Sequence, residues 1–202
     1  MKRRNQSKPA QRRIGLLGGL FDPVHQGHLG LARAALSRLG LHTLYIVPAN
    51  RPWHKNAPIL SARRRLLLAR RAFSGLRGVK VSDMEIRRGG VSYTYQTLER
   101  LKKRFRSELY LIIGADNIRE IAGWKHAEKI FSMARIAVAA RPPFPALSKL
   151  PAYRRRMEPL PVRPLEISST ELRRALKAGK DVSAWIPKKA LQIILKKGWY
   201  RY

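Results

Sequence analysis

Residues 18–28 read Gly-Gly-Leu-Phe-Asp-Pro-Val-His-Gln-Gly-His and connect an apolar run to a segment with helical spacing. The run before them, Ile14-Gly15-Leu16-Leu17, is typical of a buried central strand. After them, apolar residues recur every three or four positions, as in a helix that packs on a sheet. These residues are Leu29, Leu31, Ala32, Ala35, Leu36 and Leu39. The stretch therefore predicts a strand, a glycine-rich turn and a helix, in that order.

The turn is suited to holding an anion. Gly18 and Gly19 let the backbone approach a ligand closely, and a helix start offers unpaired N–H groups at the positive end of its dipole. His25 and His28 are three positions apart, so both imidazoles lie on one face and can donate hydrogen bonds to phosphate oxygens. Two alternatives stay open. One is a merely structural turn, and the other is a metal pair, which the lack of cysteine and of a carboxylate at ligand spacing disfavours.

The composition favours one α/β domain. A chain of 202 residues can bury a full core but is too short for two comfortable domains. No cysteine is present, so disulfides and thiolate chemistry are excluded, and the chain suits a reducing cytoplasm. No apolar run approaches membrane-spanning length, so no membrane partner is expected. We expect residues 1–12 to form a disordered basic tail and residues 13–202 a single domain.

The net charge of +31 makes nucleic-acid binding a competing function. It comes from 43 basic and 12 acidic side chains and is spread over the tail, the helices and the C-terminus. The sequence has no zinc-finger spacing, no aromatic RNA-binding signature and no heptads. A basic surface that attracts polyphosphate substrates explains the charge equally well, so we expect no specific nucleic-acid partner.

Strand and helix patterns alternate along the chain. Short apolar runs predict strands at Thr43–Val47, Val79–Ser82, Leu109–Ile113 and Arg135–Ala140. The expected fold is α/β, a Rossmann-like, doubly wound, mainly parallel sheet of five or six strands with helices on both faces. Residues 142–162, with six prolines, are predicted to be an irregular excursion.

The predicted helices are assigned to core packing. One is capped by Ser61 and runs to about Phe73, with its five arginines between positions 63 and 71 mostly solvated. Another follows Ser92-Tyr93-Thr94 and continues to Phe105. The last begins near Pro187 and is expected to pack Ala190, Ile193, Ile194 and Leu195.

Three further segments carry polar side chains where ligands gather. Residues 50–55, Asn-Arg-Pro-Trp-His-Lys, follow the strand that ends at Pro48, although a polar surface loop is the plain alternative. Residues 114–117, Gly-Ala-Asp-Asn, follow another strand, and a carboxylate there can accept hydrogen bonds from a ribose hydroxyl. Residues 168–170, Ser-Ser-Thr, precede Arg173. Three hydroxyls and a guanidinium at a helix start make an anion site, although helix capping would explain one hydroxyl.

These motifs together resemble a known family. Residues 18–28 are similar to the first signature of the nucleotidyltransferase superfamily, and residues 167–173 are similar to its second. Leu20 departs from the small hydroxyl residue usual there, which removes a possible contact to phosphate. Residues 92–98, residues 114–117, Trp124 and Arg141-Pro142 resemble segments of bacterial nicotinate-nucleotide adenylyltransferases. Trp53 replaces the second proline of a Pro-Pro-His-Lys type of segment.

The resemblance implies transfer of the adenylyl group of ATP to nicotinate mononucleotide, giving deamido-NAD and pyrophosphate in NAD biosynthesis. It implies catalytic roles for His25, His28 and Arg173, and Mg²⁺ held mainly through substrate phosphates. It implies ATP contacts at Gly18, Gly19, Leu20, Phe21, His25, His28, Gly114, Asp116, Arg141, Ile167, Ser168, Ser169 and Arg173. It implies mononucleotide contacts at Asn50, His54, Lys55, Thr94 and Trp124. Other adenylyltransferases, for pantetheine phosphate or nicotinamide mononucleotide, and a basic nucleic-acid-binding protein are the alternatives.

Overall fold

A computed structural model describes residues 12–53, 59–118, 120–140, 155–162 and 167–201. The predicted tail, except Arg12, lies outside these residues. The elements in chain order are β1 (Arg13–Gly19), α1 (Gln26–Arg38), β2 (Thr43–Pro48), β3 (Arg51–Pro52), α2 (Ala62–Phe73), β4 (Val79–Val81), α3 (Met84–Arg88), β5 (Val91–Ser92), α4 (Thr94–Arg104), β6 (Glu108–Gly114), α5 (Ala115–Ile118), a 3₁₀ turn (Ile121–Gly123), α6 (Ala127–Met133), β7 (Ala134–Ala140), β8 (Met157–Pro161), α7 (Ser169–Lys177) and α8 (Lys188–Lys197).

Six strands form one parallel sheet in the order β4-β2-β1-β6-β7-β8. The chain winds from β1 outward through β2 to β4, returns to the middle at β6, and winds outward again through β7 to β8. The direction of winding therefore switches between β1 and β6. In open sheets of this kind ligands bind outside the carboxyl ends of the strands at such a switch. The order confirms the doubly wound fold and brings the ends of β1 and β6 to that crevice.

The strands carry apolar side chains on both sides, so both faces of the sheet have to be shielded from water. Helices cover each face. Alternate strand residues enter two separate cores; in β1, for example, Leu17 lies in one and Leu16 in the other. Helices α1, α2, α7 and α8 bury their apolar sides in the first core. Helices α3, α4 and α6 bury theirs in the second. This packing explains why the strands read as near-continuous apolar runs.

Several helix boundaries agree with the sequence patterns. Ser61 is the N-cap of α2, and its side chain accepts a hydrogen bond from the Arg64 N–H. α4 begins at Thr94, and Pro187 precedes the first residue of α8. Gly198 ends α8 in the left-handed region, at φ 63°, where glycine is the favoured residue.

Three details of the predicted fold are wrong. The irregular excursion contains β8, which pairs with β7 at the edge of the sheet. The loop after Pro48 contains β3, which forms a separate two-stranded sheet with β5. Leu195 is 49% exposed instead of packed in the core. The arginines of α2 are mostly solvated, as predicted, with the exception of Arg65, which is fully buried. Polar and edge segments of this kind gain their structure from distant partners, which a local pattern does not reveal.

Among the described residues, no helix is both long enough and apolar enough to span a bilayer.

Candidate active site

The turn between β1 and α1 is held in an unusual conformation by a buried arginine. Phe21 has a positive φ of 54°, a region that side chains other than glycine rarely occupy. Arg65 of α2 donates from Nη1 to the Leu20 carbonyl at 2.8 Å. It also donates to the carbonyls of Ala49 at 2.7 Å and Leu60 at 3.0 Å. One guanidinium thus fixes the turn against the loop that follows β2.

A second buried group ties the same turn to the end of the chain. The Asp22 carboxylate accepts hydrogen bonds from the Tyr200 hydroxyl at 2.6 Å and from the Ile59 and Leu60 N–H groups at 2.8 and 3.3 Å. Burial, and then the neighbouring Asp22 charge, raises the pKa of the Tyr200 phenol above its ordinary value. The phenol therefore keeps its proton and remains a donor. Asp22 joins three parts of the chain at the turn.

The two histidine rings are in contact at the start of α1, with their planes tilted by 40°. Their ring centroids are 3.8 Å apart, and the His28 ring also lies 4.9 Å from that of Phe21. The backbone N–H of His25 donates to His28 Nδ1 at 3.2 Å. When the His28 ring is neutral, its hydrogen is therefore on Nε2. A Cβ at Gly27 would lie 3.0 Å from the His25 ring, so the glycine between the histidines makes room for this ring.

His25 is a neutral imidazole at neutral pH. Its side chain is buried, and burial lowers its pKa from the ordinary 6.5 to about 4. Its Nδ1 has no hydrogen-bond partner within the part of the chain that the structure describes. A neutral ring can donate only one N–H, so it would contribute a hydrogen bond to a phosphate and little charge.

The glycines that end β1 differ in their surroundings. A Cβ at Gly19 would lie 3.3 Å from the Phe21 ring, whereas one at Gly18 would meet nothing within 4 Å. Gly18 is exposed and borders open space beside the helix start. A ligand can therefore approach the backbone closely at Gly18.

The start of α7 packs directly against this turn. Ser169 Oγ donates to the Pro23 carbonyl at 3.0 Å, across 146 positions of sequence. Arg173 Nη1 donates to the Asp22 carbonyl at 2.7 Å, and its Nη2 donates to Thr170 Oγ1 at 3.1 Å. The two motifs predicted to bind phosphate are thus brought together, with two helix N-termini beside each other.

Ser168 has the capping role that the sequence left open. Its side chain accepts from the Glu171 N–H at 3.2 Å, and Glu171 Oε2 accepts from the Ser168 N–H at 2.9 Å. A hydrogen bond from Ser168 Oγ to Glu171 Oε2 at 2.7 Å, together with the one from the Ser168 backbone N–H, lowers the pKa of the Glu171 carboxyl below its ordinary value. The first turn of α7 is therefore a capping box, and Ser169 and Arg173 face the β1–α1 turn.

Comparisons with known proteins identify the family. A family model described as cytidylyltransferase-like matches residues 16–175. A probable nicotinate-nucleotide adenylyltransferase of Thermus thermophilus is 40% identical over 195 residues, which cover 94% of this chain and 100% of the relative. Another, of Bordetella petrii, is 36% identical over 196 residues, with 94% and 100% covered. The chain belongs to the nicotinate-nucleotide adenylyltransferase family.

A solved structure shares the fold of this member of the family. Plasmodium falciparum nicotinic acid mononucleotide adenylyltransferase complexed with NaAD has a TM-score of 0.78 to this chain at 20% identity. The match covers 94% of this chain and 97% of that one.

Thr94 and Trp124, two of the residues that the family resemblance assigns to the mononucleotide, lie beside the second core. Thr94 is the first residue of α4, and Trp124 ends the 3₁₀ turn after β6 and packs against that core. Their neighbours are in contact, since Lys125 lies 4.7 Å above the Tyr93 ring and the rings of Tyr95 and His126 are 4.6 Å apart. The two segments therefore share one wall. Their contacts with a ligand stay a prediction.

Asn50 joins this wall by holding two loops together. Its side chain donates to the Gly90 carbonyl at 2.8 Å, and its backbone N–H donates to Ser92 Oγ at 2.9 Å. Buried Glu85 accepts from Thr97 Oγ1 at 2.5 Å and also bonds the Ser92 hydroxyl. Burial raises the pKa of the Glu85 carboxyl, although these hydrogen bonds oppose that change. Hydrogen bonds of the buried Glu85 carboxyl thus hold the segments that form the wall.

Three of the predicted site residues, His54, Lys55 and Arg141, lie outside the described residues, and Asp116 is described only as part of the α5 backbone. Leu20 contributes its carbonyl to Arg65, and Ile167 packs partly against the first core. Gly114 ends β6 at the switch point, where a Cβ would lie 3.7 Å from the Asn117 side chain.

Sequence reasoning assigned no site role to Arg65, Glu85, Tyr200 or the Asp22 side chain. Helical spacing could have predicted that Arg65 is buried, because it lies four positions from Ala69 and seven from Ala72, on the apolar face of α2. Nothing in the local sequence marks the other three as partners, since their contacts span 7 to 178 positions.

Proposed function

We propose that the chain transfers the adenylyl group of ATP to nicotinate mononucleotide, giving deamido-NAD and pyrophosphate. The observation that carries the proposal is the junction of the β1–α1 turn with the start of α7 at the switch point of the sheet. Two helix N-termini, two imidazoles and a guanidinium converge there, which is a set of groups suited to a polyphosphate. Family membership supports nicotinate mononucleotide as the acceptor.

The proposed reaction needs no protein nucleophile. A phosphate oxygen of the mononucleotide attacks the α-phosphorus of ATP in line and forms the new P–O bond. The bond from that phosphorus to the bridging oxygen breaks, and the electron pair leaves with pyrophosphate. The protein's part is then to align the two phosphates and to stabilise the charge that spreads over the oxygens in the transition state.

The described side chains divide these tasks. His28 Nε2–H and the neutral His25 ring would donate hydrogen bonds to phosphate oxygens. Arg173 uses two of its five N–H groups on Asp22 and Thr170, which orients the guanidinium beside the turn. Gly18 would let the backbone come within hydrogen-bond distance of the ligand.

Mg²⁺ would enter with ATP and be held largely by the phosphates. Asp22, the carboxylate of the β1–α1 turn, is buried and already accepts three hydrogen bonds, so it does not fit the role of a metal ligand. Within the described ranges no three potential metal-binding side chains cluster. Such surroundings fit an ion coordinated by substrate oxygens and water, which is how Mg²⁺ usually binds with nucleotides. Bound there, it would neutralise phosphate charge.

We further propose that the wall formed by Asn50, Thr94 and Trp124 receives the pyridine ring. The indole offers a face for stacking, and the start of α4 offers N–H donors to the ring carboxylate. A donor-rich pocket favours an anion that accepts at both oxygens over a carboxamide, which also carries donors.

The test is an assay of pyrophosphate release with ATP and a panel of phosphate-bearing acceptors. Nicotinate mononucleotide should be the preferred acceptor, ahead of nicotinamide mononucleotide and pantetheine phosphate. If the protein prefers nicotinamide mononucleotide or pantetheine phosphate, the proposed acceptor is wrong. In parallel, incubation with α-labelled ATP and no acceptor should leave no label on the protein, and stable adenylylation would exclude the direct transfer.

A further inference from the structure

Helices α2 and α8 carry basic side chains and no acidic ones. Their sequences are Ala-Arg-Arg-Arg-Leu-Leu-Leu-Ala-Arg-Arg-Ala-Phe and Lys-Lys-Ala-Leu-Gln-Ile-Ile-Leu-Lys-Lys. Of the nine cations, Arg65 alone is buried. The other eight are exposed, namely Arg63, Arg64, Arg70, Arg71, Lys188, Lys189, Lys196 and Lys197. We call these eight residues the α2–α8 basic face.

The two helices pack side by side in opposite directions. At one end, the Arg64 guanidinium lies 5.4 Å above the Trp199 ring, so the start of α2 meets the end of α8. At the other end, Lys189 Nζ donates to Ser74 Oγ at 3.2 Å, so the end of α2 meets the start of α8. The cations of two helices therefore form one continuous surface.

Acidic side chains neutralise little of this surface. Among the described residues, Arg70 is the one member with an ion pair, to Asp83 at 3.7 Å. Asp83 is shared with Arg87 at 2.9 Å, and Glu108 is paired with Arg13 and Arg135 on another part of the molecule. Eight neighbouring cations with so few counter-charges produce a strong positive potential, which attracts polyanions.

We propose that the α2–α8 basic face binds the sugar–phosphate backbone of double-stranded nucleic acid. The face offers charge and few rings for stacking on bases, because Phe73, the one aromatic residue of the two helices, is buried and the adjacent Trp199 is half-buried beneath the Arg64 guanidinium. Single strands are usually held by stacking on exposed rings, so backbone contact to a duplex fits better. Binding should have no sequence preference and should weaken steeply with salt, because it depends on the release of counterions.

This surface is separate from the proposed active site. Arg65 points from α2 toward the β1–α1 turn, whereas the other cations of α2 and those of α8 are exposed to solvent. The exposed apolar side chains of the two helices are Leu67 at 38% and Leu195 at 49%. A helix that binds a membrane surface has a broad apolar face, and two exposed leucines do not make one. Nucleic acid therefore fits this surface better than a lipid membrane does.

The test compares two full-length variants that lose the same number of cations. The face variant combines R71Q, K188Q, K189Q and K196Q, and the control variant combines R100Q, K102Q, K103Q and R106Q on and beside α4. All eight positions are exposed, and residues 1–12 stay in both proteins, so any contribution of that segment is equal. Fluorescence anisotropy with a 20-base-pair RNA duplex, and with its DNA counterpart, is measured from low to physiological salt.

We expect the slope of log affinity against log salt to fall by up to about 3.6 in the face variant, from about 0.9 for each lost phosphate contact. The control variant should change it by less than half as much. Pyrophosphate release with ATP and nicotinate mononucleotide should match that of the unaltered protein in both variants. Equal losses in the two variants would show that net charge alone is responsible and would overturn the proposal. If the face variant binds both duplexes normally but binds vesicles of anionic phospholipid less well than the unaltered protein, the choice of partner is overturned.

Discussion

Replacing Tyr200 by phenylalanine tests whether the C-terminal segment positions the phosphate-binding turn. The change removes the hydroxyl that donates to Asp22 Oδ1 at 2.6 Å and keeps the buried ring. A hydrogen bond to a charged group contributes about 1.5–3 kcal/mol. For a domain of this size that corresponds to a fall in Tm of about 3–12 °C.

The kinetic effect should exceed what lost stability explains. Asp22 also presents its backbone carbonyl to Arg173 and lies three residues before His25, so a displaced Asp22 moves several groups proposed to contact phosphate. Misplacement of reacting groups by about 1 Å costs about 10²-fold in rate. We expect kcat to fall about 10- to 100-fold at a temperature where the variant is fully folded, with a smaller change in the KM for ATP.

Tyr110→Phe is the matched control. Tyr110 is also buried, and its hydroxyl bonds the Arg135 side chain toward the amino end of β6, away from the proposed site. Its loss should lower Tm by a smaller amount, because Arg135 is exposed, and should leave kcat unchanged. The positioning role of Tyr200 is refuted if Tyr200→Phe keeps normal kcat while folded, or if both variants lose kcat equally.

Three further predictions concern single side chains. His28→Ala should keep its fold, as judged by circular dichroism, but lose about 10²–10³-fold in kcat because an electrostatic donor is removed; near-normal turnover would rule out the role. The free energy of unfolding should fall by about 3 kcal/mol as pH falls from about 6.5 to about 4, since unfolded chains protonate His25 in that window and the folded protein does not. Denaturant titrations should show this dependence in the wild type and a flatter one in His25→Gln; equal curves would mean that the buried ring does not resist protonation. Trp124→Ala should weaken nicotinate mononucleotide by about 1–3 kcal/mol, by analogy with base stacking, and ATP much less in calorimetric titrations; an equal loss for both would assign Trp124 to the core.

The sequence by itself determined the central strands, the larger helices and the motifs at their junctions. Buried strands and helices leave periodic apolar patterns, so β1, β6 and the helix after Ser61 were predictable from residues close together in the chain. The same holds for the histidines of the β1–α1 turn, because glycine spacing and a helix start are local features. Family resemblance extended this to Thr94 and Trp124, whose contacts with a ligand stay predictions.

Only the tertiary structure decided which distant groups hold the site in place. Arg65 looked like one more surface cation of α2, yet it is buried against the carbonyls of Leu20, Ala49 and Leu60. Tyr200 reaches Asp22 across 178 positions. A buried polar group needs a partner, but its partner can come from any segment that the fold brings near. The residues next to a buried polar group in the sequence do not predict its partner, because the partner depends on how the whole chain packs.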